Sequence, residues 1–280
     1  MRFAGKGFAM ADERRMMPPA MILCGGQGTR LREVTELLPK PMVPIGEQPI
    51  VWHIMRGYAA FGVRRFILCL GYKREEFIDY FLNFHARSTD ITVQLGKERG
   101  IIYHGEAFEA DWEVTLADTG VETMTGGRVR RASRYLAPED REFFLTYGDG
   151  VADIDIAELL AFHRRSGKLL TISAVHPEGR FGEMRLDGES VTGFAEKPLR
   201  TANFINGGFM VVDRAFIPRY LDGGDCYLES EPFRDVVADG NLAARRHEGF
   251  WQCMDTPREH RLLNDLWNSG RAPWTKYWRE

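Results

Sequence analysis

The apolar run Ala20-Met21-Ile22-Leu23-Cys24 halts at Gly25-Gly26-Gln27-Gly28, and Thr29, Arg30 and Leu31 follow. So short a run, with no polar residue in it, suits a strand buried on both faces that leads through a tight turn into a helix-compatible segment. Glycines there let the backbone reach φ > 0 and bring N–H groups against an anion with no Cβ in the way. Arg30 adds a planar fork of donors matched to phosphate oxygens. Ten residues on, Lys40 is held between the φ-locked Pro39 and Pro41. A kinase-type P-loop would end Gly-Lys-Ser/Thr, whereas this one ends Gly28-Thr29-Arg30; a dinucleotide fingerprint needs a third glycine where Leu31 stands. A plain glycine-rich turn is the remaining alternative. Arg30 and Lys40 beside the loop favour a cradle for the phosphates of a nucleoside triphosphate.

Strand and helix patterns alternate from residue 20 to about residue 175. Residues 50–61 read as a helix ended by Gly62, 65–70 as a buried strand and 75–82 as a helix. The strand 143–147 stops at Gly148-Asp149-Gly150; a helix at 156–165 and a strand at 169–175 follow. Repeated βα units predict an α/β fold with a doubly wound, mostly parallel sheet and helices on both faces. Two stretches depart from that rhythm. Short strand-like pieces between about 89 and 115 predict an insertion at the sheet edge. Short β runs over 180–212, divided by Asp187-Gly188 and Gly207-Gly208, predict small antiparallel hairpins. Pro257 suits the first turn of a last helix, 257–268. No linker divides the chain, so residues 18–280 are expected to form one catalytic domain and residues 1–17 a disordered tail.

Bulk properties narrow the function. A net charge of −3 argues against a general binder of nucleic acid or anionic membrane, so a phosphate ligand has to be met by local positive charge. No apolar run approaches the ~20 residues a membrane helix needs. The segment before residue 18 lacks the continuous apolar stretch of a secretory signal. The cysteines, Cys24, Cys69, Cys226 and Cys253, have no metal-ligand spacing, and Cys24 and Cys69 fall in predicted buried strands. A reducing cytoplasm is the expected compartment.

Two carboxylates stand where open α/β sheets place ligands, beyond strand carboxyl ends. Asp149 lies between two glycines after the strand 143–147. Asp255 follows the run Phe250-Trp251-Gln252-Cys253-Met254. Beside a phosphate loop, such a pair can hold Mg²⁺ against substrate phosphates; read singly, one is equally a turn aspartate and the other a helix N-cap. Asp153 and Asp155 lack the glycine and terminal glutamate of a calcium loop and read as helix capping and a solvated face. Glu196-Lys197-Pro198 ends another predicted strand. A lysine before proline is extended, so Lys197 either reaches into a cleft or sits on a surface hairpin. Residues 123–128, Thr-Met-Thr-Gly-Gly-Arg, read by themselves as a loop.

Taken together, Gly25-Gly26-Gln27-Gly28-Thr29-Arg30-Leu31, Lys40-Pro41-Met42, Gly148-Asp149-Gly150 and Glu196-Lys197-Pro198 resemble the sugar-1-phosphate nucleotidyltransferases. Within that superfamily the chain is most similar to the glucose-1-phosphate cytidylyltransferases. The closer match rests on Trp52-His53-Ile54-Met55, Asp118-Thr119-Gly120, Met124-Thr125-Gly126-Gly127-Arg128, Thr146 to Val151, and Ile205 to Phe209. It continues through Phe250-Trp251-Gln252, Met254-Asp255-Thr256 and Ala272-Pro273-Trp274. The resemblance implies CTP and glucose 1-phosphate as substrates, Mg²⁺ as cofactor, a homo-oligomer, and a place in deoxysugar synthesis for cell-surface polysaccharide. A nucleotidyltransferase for UTP, dTTP or another sugar phosphate, and a silent sugar-nucleotide-binding regulator, are the alternatives. By the same resemblance the nucleotide is held by Leu23, Cys24, Gly25, Gly26, Gln27, Gly28, Thr29, Arg30, Lys40, Thr123, Arg128 and Gly148. The metal falls to Asp149 and Asp255, and the sugar phosphate to Glu196, Lys197 and Asn206. Arg30, Lys40, Asp149 and Lys197 are the implied catalytic set. Cys253 stands where the family pattern has proline, and Glu183-Met184-Arg185 and residues 199–202 also depart from it.

Overall fold

The computed structural model describes residues 17–26, 37–96, 100–105, 109–177, 183–188, 190–195 and 203–278. The tail 1–16 and the loop residues Gln27, Gly28, Thr29 and Arg30 lie outside the described residues, as do Glu196 and Lys197.

A seven-stranded sheet forms the centre, in the order Leu242–His247, Leu170–Val175, Ile205–Asp213, Glu142–Tyr147, Ala20–Leu23, Arg65–Leu70, Glu113–Asp118. All neighbouring pairs are parallel except the two made by Ile205–Asp213, which runs against both its neighbours. The mostly parallel sheet expected from the βα rhythm is therefore present. Side-chain alternation sorts the buried runs onto two faces. Ala20, Ile22, Leu68, Phe144 and Val211 join one apolar cluster, whereas Met21, Leu23, Ile67, Phe143, Leu145 and Met210 join the other. Both faces are covered, which is why Ala20–Leu23 is apolar at every position.

Local signals set several boundaries. Asp155 caps the helix Ile156–Ser166 by accepting from the Glu158 N–H, and Gly167, at φ +62°, ends it. Thr256 caps the helix Pro257–Asn268 in a reciprocal capping box with Glu259. The helix cap is thus Thr256 and not Asp255. The hairpin expected around Asp187-Gly188 is present as Glu183–Asp187 with Ser190–Ala195.

Four readings need correction. Residues 123–128 are not a plain loop, because a helix, Thr125–Ala132, begins inside them. Gly126 and Gly127 suit that helix because the segment around Asp225 and Cys226 presses close against them: a Cβ on Gly127 would come within 2.1 Å of Asp225 Oδ1. Packing there outweighs the low helix propensity of glycine, ~1 kcal/mol per residue. Secondly, the insertion ends sooner than expected. Asp90–Gln94 and Gly100–His104 form a separate hairpin, but Glu113–Asp118 is the edge strand of the main sheet. Thirdly, Gly207-Gly208 does not divide a hairpin; both residues lie within the long strand Ile205–Asp213. Lastly, the run before Asp255 belongs to no strand of the main sheet. Trp251–Cys253 pairs antiparallel with Gly150–Ala152 in a sheet of their own.

A buried histidine links the helix Ile50–Ala59 to the C-terminal region. His53 is 1% exposed, its Nε2–H donates to Ile45 O at 2.9 Å, and its Nδ1 accepts from Trp274 Nε1–H at 3.3 Å. Burial lowers its pKa from 6.5 to about 4, partly countered by its backbone hydrogen bonds. Between those values the unfolded chain takes up a proton that the folded one refuses, so stability falls as pH drops from ~6.5 to ~4. The loss should approach about 3 kcal/mol at the acid end. Urea midpoints across this range, compared with those of His53→Gln, should show a pH-dependent gap. A gap constant with pH would remove His53 as the cause.

Candidate active site

The carboxyl ends of the parallel strands meet at one edge of the sheet, where their backbones open into turns. There a cleft of about 430 Å³ is lined by Leu23, Cys24, Gly25, Gly26, Lys40, Thr123, Arg128, Gly148, Asp149 and Asp255, all of them residues expected to serve nucleotide or metal. Pro41, Tyr147 and Tyr227 also line it, together with the loop Val121 to Thr125. Tyr227 carried no signal in the sequence, since it reaches the cleft from a segment about a hundred residues beyond the loop it faces. Tyr147 stood inside a recognised motif, yet nothing local showed that its ring would form a wall.

Strand register explains the first group. Leu23 lies opposite both Cys69 and Tyr147, so the turns after all these strands open at one level. The Gly148 N–H donates to Leu23 O at 3.0 Å, tying the aspartate turn to the strand end that leads into Gly25 and Gly26. A Cβ at Gly148 would lie 2.9 Å from Pro41 Cγ and 3.0 Å from Cys24 Sγ, so glycine is required by space.

Asp149 and Asp255 meet through the small sheet. Gly150 pairs with Cys253, and the Met254 N–H donates to Asp149 O at 2.8 Å, which brings the two acidic residues side by side. Glu259 then accepts from the Asp255 and Thr256 N–H groups at 2.7 and 2.9 Å, fixing the backbone that carries Asp255. The Lys40 ammonium sits between the carboxylates, donating to Asp149 Oδ2 at 2.6 Å and making a short hydrogen bond to Asp255 Oδ1. Burial alone would depress the Lys40 pKa, but the Asp149 charge and the two hydrogen bonds outweigh it and raise the value. Both carboxylates thus aim at one cation position. Two carboxylates open to a cleft suit Mg²⁺, which keeps waters and takes its other ligands from substrate phosphates. Among the described residues no group of three or more His, Cys, Asp or Glu side chains could hold a metal unaided. Cys253 adds no thiolate, since burial first and then the Asp255 charge push its thiol up to about 12.

Arg128 is a brace. Its Nη1 donates to Leu70 O, Thr119 Oγ1 and Gly120 O, and its Nη2 to Gly25 O and Val121 O, all at 2.8–3.1 Å. One guanidinium therefore pins Gly25 to the end of the strand Arg65–Leu70 and to the loop 119–121. A Cβ on Gly25 would fall 2.0 Å from Arg128 Nη1. Gly25→Ala should therefore expel the guanidinium, cost about 1–3 kcal/mol and raise the nucleotide KM. Thermal melts and nucleotide titrations check this; an unchanged KM would show that the brace does not shape the nucleotide site.

Asn206 does not line the cleft. It lies at the same edge because its strand runs antiparallel and starts where the neighbouring strand ends, with Ala174 opposite it. Its Oδ1 accepts from the Gly208 N–H at 2.9 Å, and its Nδ2 approaches the Tyr147 hydroxyl at 3.4 Å. That hydroxyl donates to Glu229 at 2.5 Å, and Tyr147, unlike Asn206, lines the cleft. Burial, followed by the Glu229 charge, raises the Tyr147 pKa and keeps the phenol protonated.

A mostly parallel sheet with glycines, a lysine and two carboxylates gathered at one cleft along its carboxyl-terminal edge is an arrangement suited to handling a nucleotide's phosphates. The sequence profile described as nucleotidyl transferase matches residues 19–222, and the chain belongs to that family. It is 44% identical over 259 residues to the glucose-1-phosphate cytidylyltransferase of Salmonella typhi, an alignment covering 92% of this chain and 99% of the relative. The enzyme of the same name from Salmonella typhimurium matches to the same extent. Among solved structures, HddC from Yersinia pseudotuberculosis shares the fold at a TM-score of 0.64 and 22% identity, over 90% of this chain and 100% of that one.

Proposed function

We propose that this chain transfers the cytidylyl group of CTP to α-D-glucose 1-phosphate, forming CDP-glucose and pyrophosphate. The supporting observation is the convergence of Gly25, Gly26, Lys40, Asp149 and Asp255 on one cleft, in a chain so similar to named cytidylyltransferases. A sugar-phosphate oxygen attacks the α-phosphorus in line; the bond from that phosphorus to the bridging oxygen breaks, and its electron pair leaves on pyrophosphate. The nucleophile has a second pKa of about 6 and is largely dianionic at neutral pH, so no general base is required.

The difficulty is to bring two polyanions together, and the chain's residues address it by placement and charge. Gly25 and Gly26 offer backbone close to the phosphates, and Lys40 carries positive charge at the same wall. Arg30 and Lys197 are assigned to the nucleotide and sugar phosphates on the family resemblance. Mg²⁺ held by Asp149 and Asp255 would neutralise phosphate charge and polarise the phosphoryl oxygens. The same resemblance supports one catalytic domain over residues 18–280 that works as a homo-oligomer in the cytoplasm. Among the described residues no helix is long and apolar enough to cross a membrane.

Pyrophosphate release across CTP, UTP and dTTP, each with a panel of sugar 1-phosphates, tests the reading. The highest kcat/KM is expected for CTP with glucose 1-phosphate. A clear preference for another pair would reassign the substrates, and no turnover with any pair would favour a silent sugar-nucleotide sensor.

A further inference from the structure

The cation between Asp149 and Asp255 belongs to the chain itself. Lys40 is only 9% exposed, and its ammonium bridges one oxygen of each carboxylate while also lining the cleft. Its backbone is rigid: Lys40–Met42 forms a 3₁₀ turn between Pro39 and Val43, with Met42 N–H bonded to Pro39 O and Val43 N–H to Lys40 O. Any movement of the charge is therefore a swing of the lysine side chain, not a shift of the loop. A divalent cation and an ammonium within bonding distance of the same two oxygens would repel strongly in this half-buried setting. One has to leave when the other enters. Two carboxylates with one ammonium carry a net single negative charge, whereas the same pair with a divalent cation is neutral and the ammonium is released toward the cleft.

We propose that Lys40 is a tethered counter-ion, which holds the carboxylate pair in place until the metal arrives and then swings to the substrate phosphates. The proposal rests on the reading of Asp149 and Asp255 as the metal pair. It makes metal and nucleotide binding mutually favourable, because the phosphates receive the ammonium that the metal displaces. Metal alone should therefore bind the free protein weakly.

The test uses the full-length protein without nucleotide and Mn²⁺ as the probe, with free Mn²⁺ followed by electron paramagnetic resonance. Lys40→Met should bind Mn²⁺ at least about tenfold more tightly than the wild type, and Asp149→Asn should bind it least well. A second readout uses the unaltered protein: saturating Mn²⁺ should raise the acetylation rate of Lys40, followed by mass spectrometry, severalfold. Equal or weaker Mn²⁺ affinity in Lys40→Met, or no change in Lys40 acetylation, overturns the exchange. Should Lys40→Met fail to fold, the acetylation rates decide alone. Mn²⁺ binding to Asp149→Asn at wild-type strength would instead overturn the metal-pair reading.

Discussion

Asp149→Asn and Asp255→Asn should each lower metal-dependent turnover on the order of 10²-fold or more while leaving the fold intact. Each change keeps the shape of the side chain and removes one of the two charges that aim at the cation position. The fold should survive because the backbone bonds that place these residues do not involve their carboxylates. Gly148 N–H to Leu23 O, Met254 N–H to Asp149 O, and the Glu259 bonds to Asp255 and Thr256 all remain. Lys40 would keep one carboxylate in either variant. Turnover at saturating Mg²⁺ and the circular dichroism melt should be measured together. Near-normal turnover in either variant would take that residue out of the metal site.

Lys197→Ala should mainly weaken handling of the sugar phosphate. Losing a charge-assisted contact typically costs ~1.5–3 kcal/mol, or on the order of 10- to 150-fold. The assignment comes from the Glu196-Lys197-Pro198 motif and from the strand that begins at Ile205, whose antiparallel course sets Asn206 at the ligand edge of the sheet. Steady-state kinetics with each substrate varied in turn should show a raised KM for glucose 1-phosphate and little change for CTP. The reverse pattern would mean that Lys197 serves the nucleotide.

Much of the architecture was legible along the chain. The buried strand Arg65–Leu70 has the bounds its apolar run predicts, and the cap at Asp155 stands where helix-start chemistry puts it, whereas the last helix is capped by Thr256, one residue beyond the aspartate that read as its cap. Such features depend on periodicity and on backbone groups a few residues apart, so the information is local. The helix Thr125–Ala132 was not legible, because its glycines argue against helix until the Asp225 and Cys226 segment is packed on them. The edge strand Glu113–Asp118 was blurred for a related reason: its place is defined by Arg65–Leu70 beside it, not by its own composition.

By itself the sequence determined which chemical groups are available: glycines after a buried strand, a lysine between prolines, and two acidic residues next to short apolar runs. Those follow from what glycine, proline and short apolar runs permit the backbone to do. Tertiary structure alone decided that Lys40 meets Asp149 and Asp255, 109 and 215 positions away, and that Arg128 braces the cleft rather than standing in a loop. Contacts between groups so far apart in the chain are set by sheet order, by the direction of one antiparallel strand, and by the docking of a two-stranded sheet. Each of these depends on how buried surfaces fit together, and no local pattern records that fit.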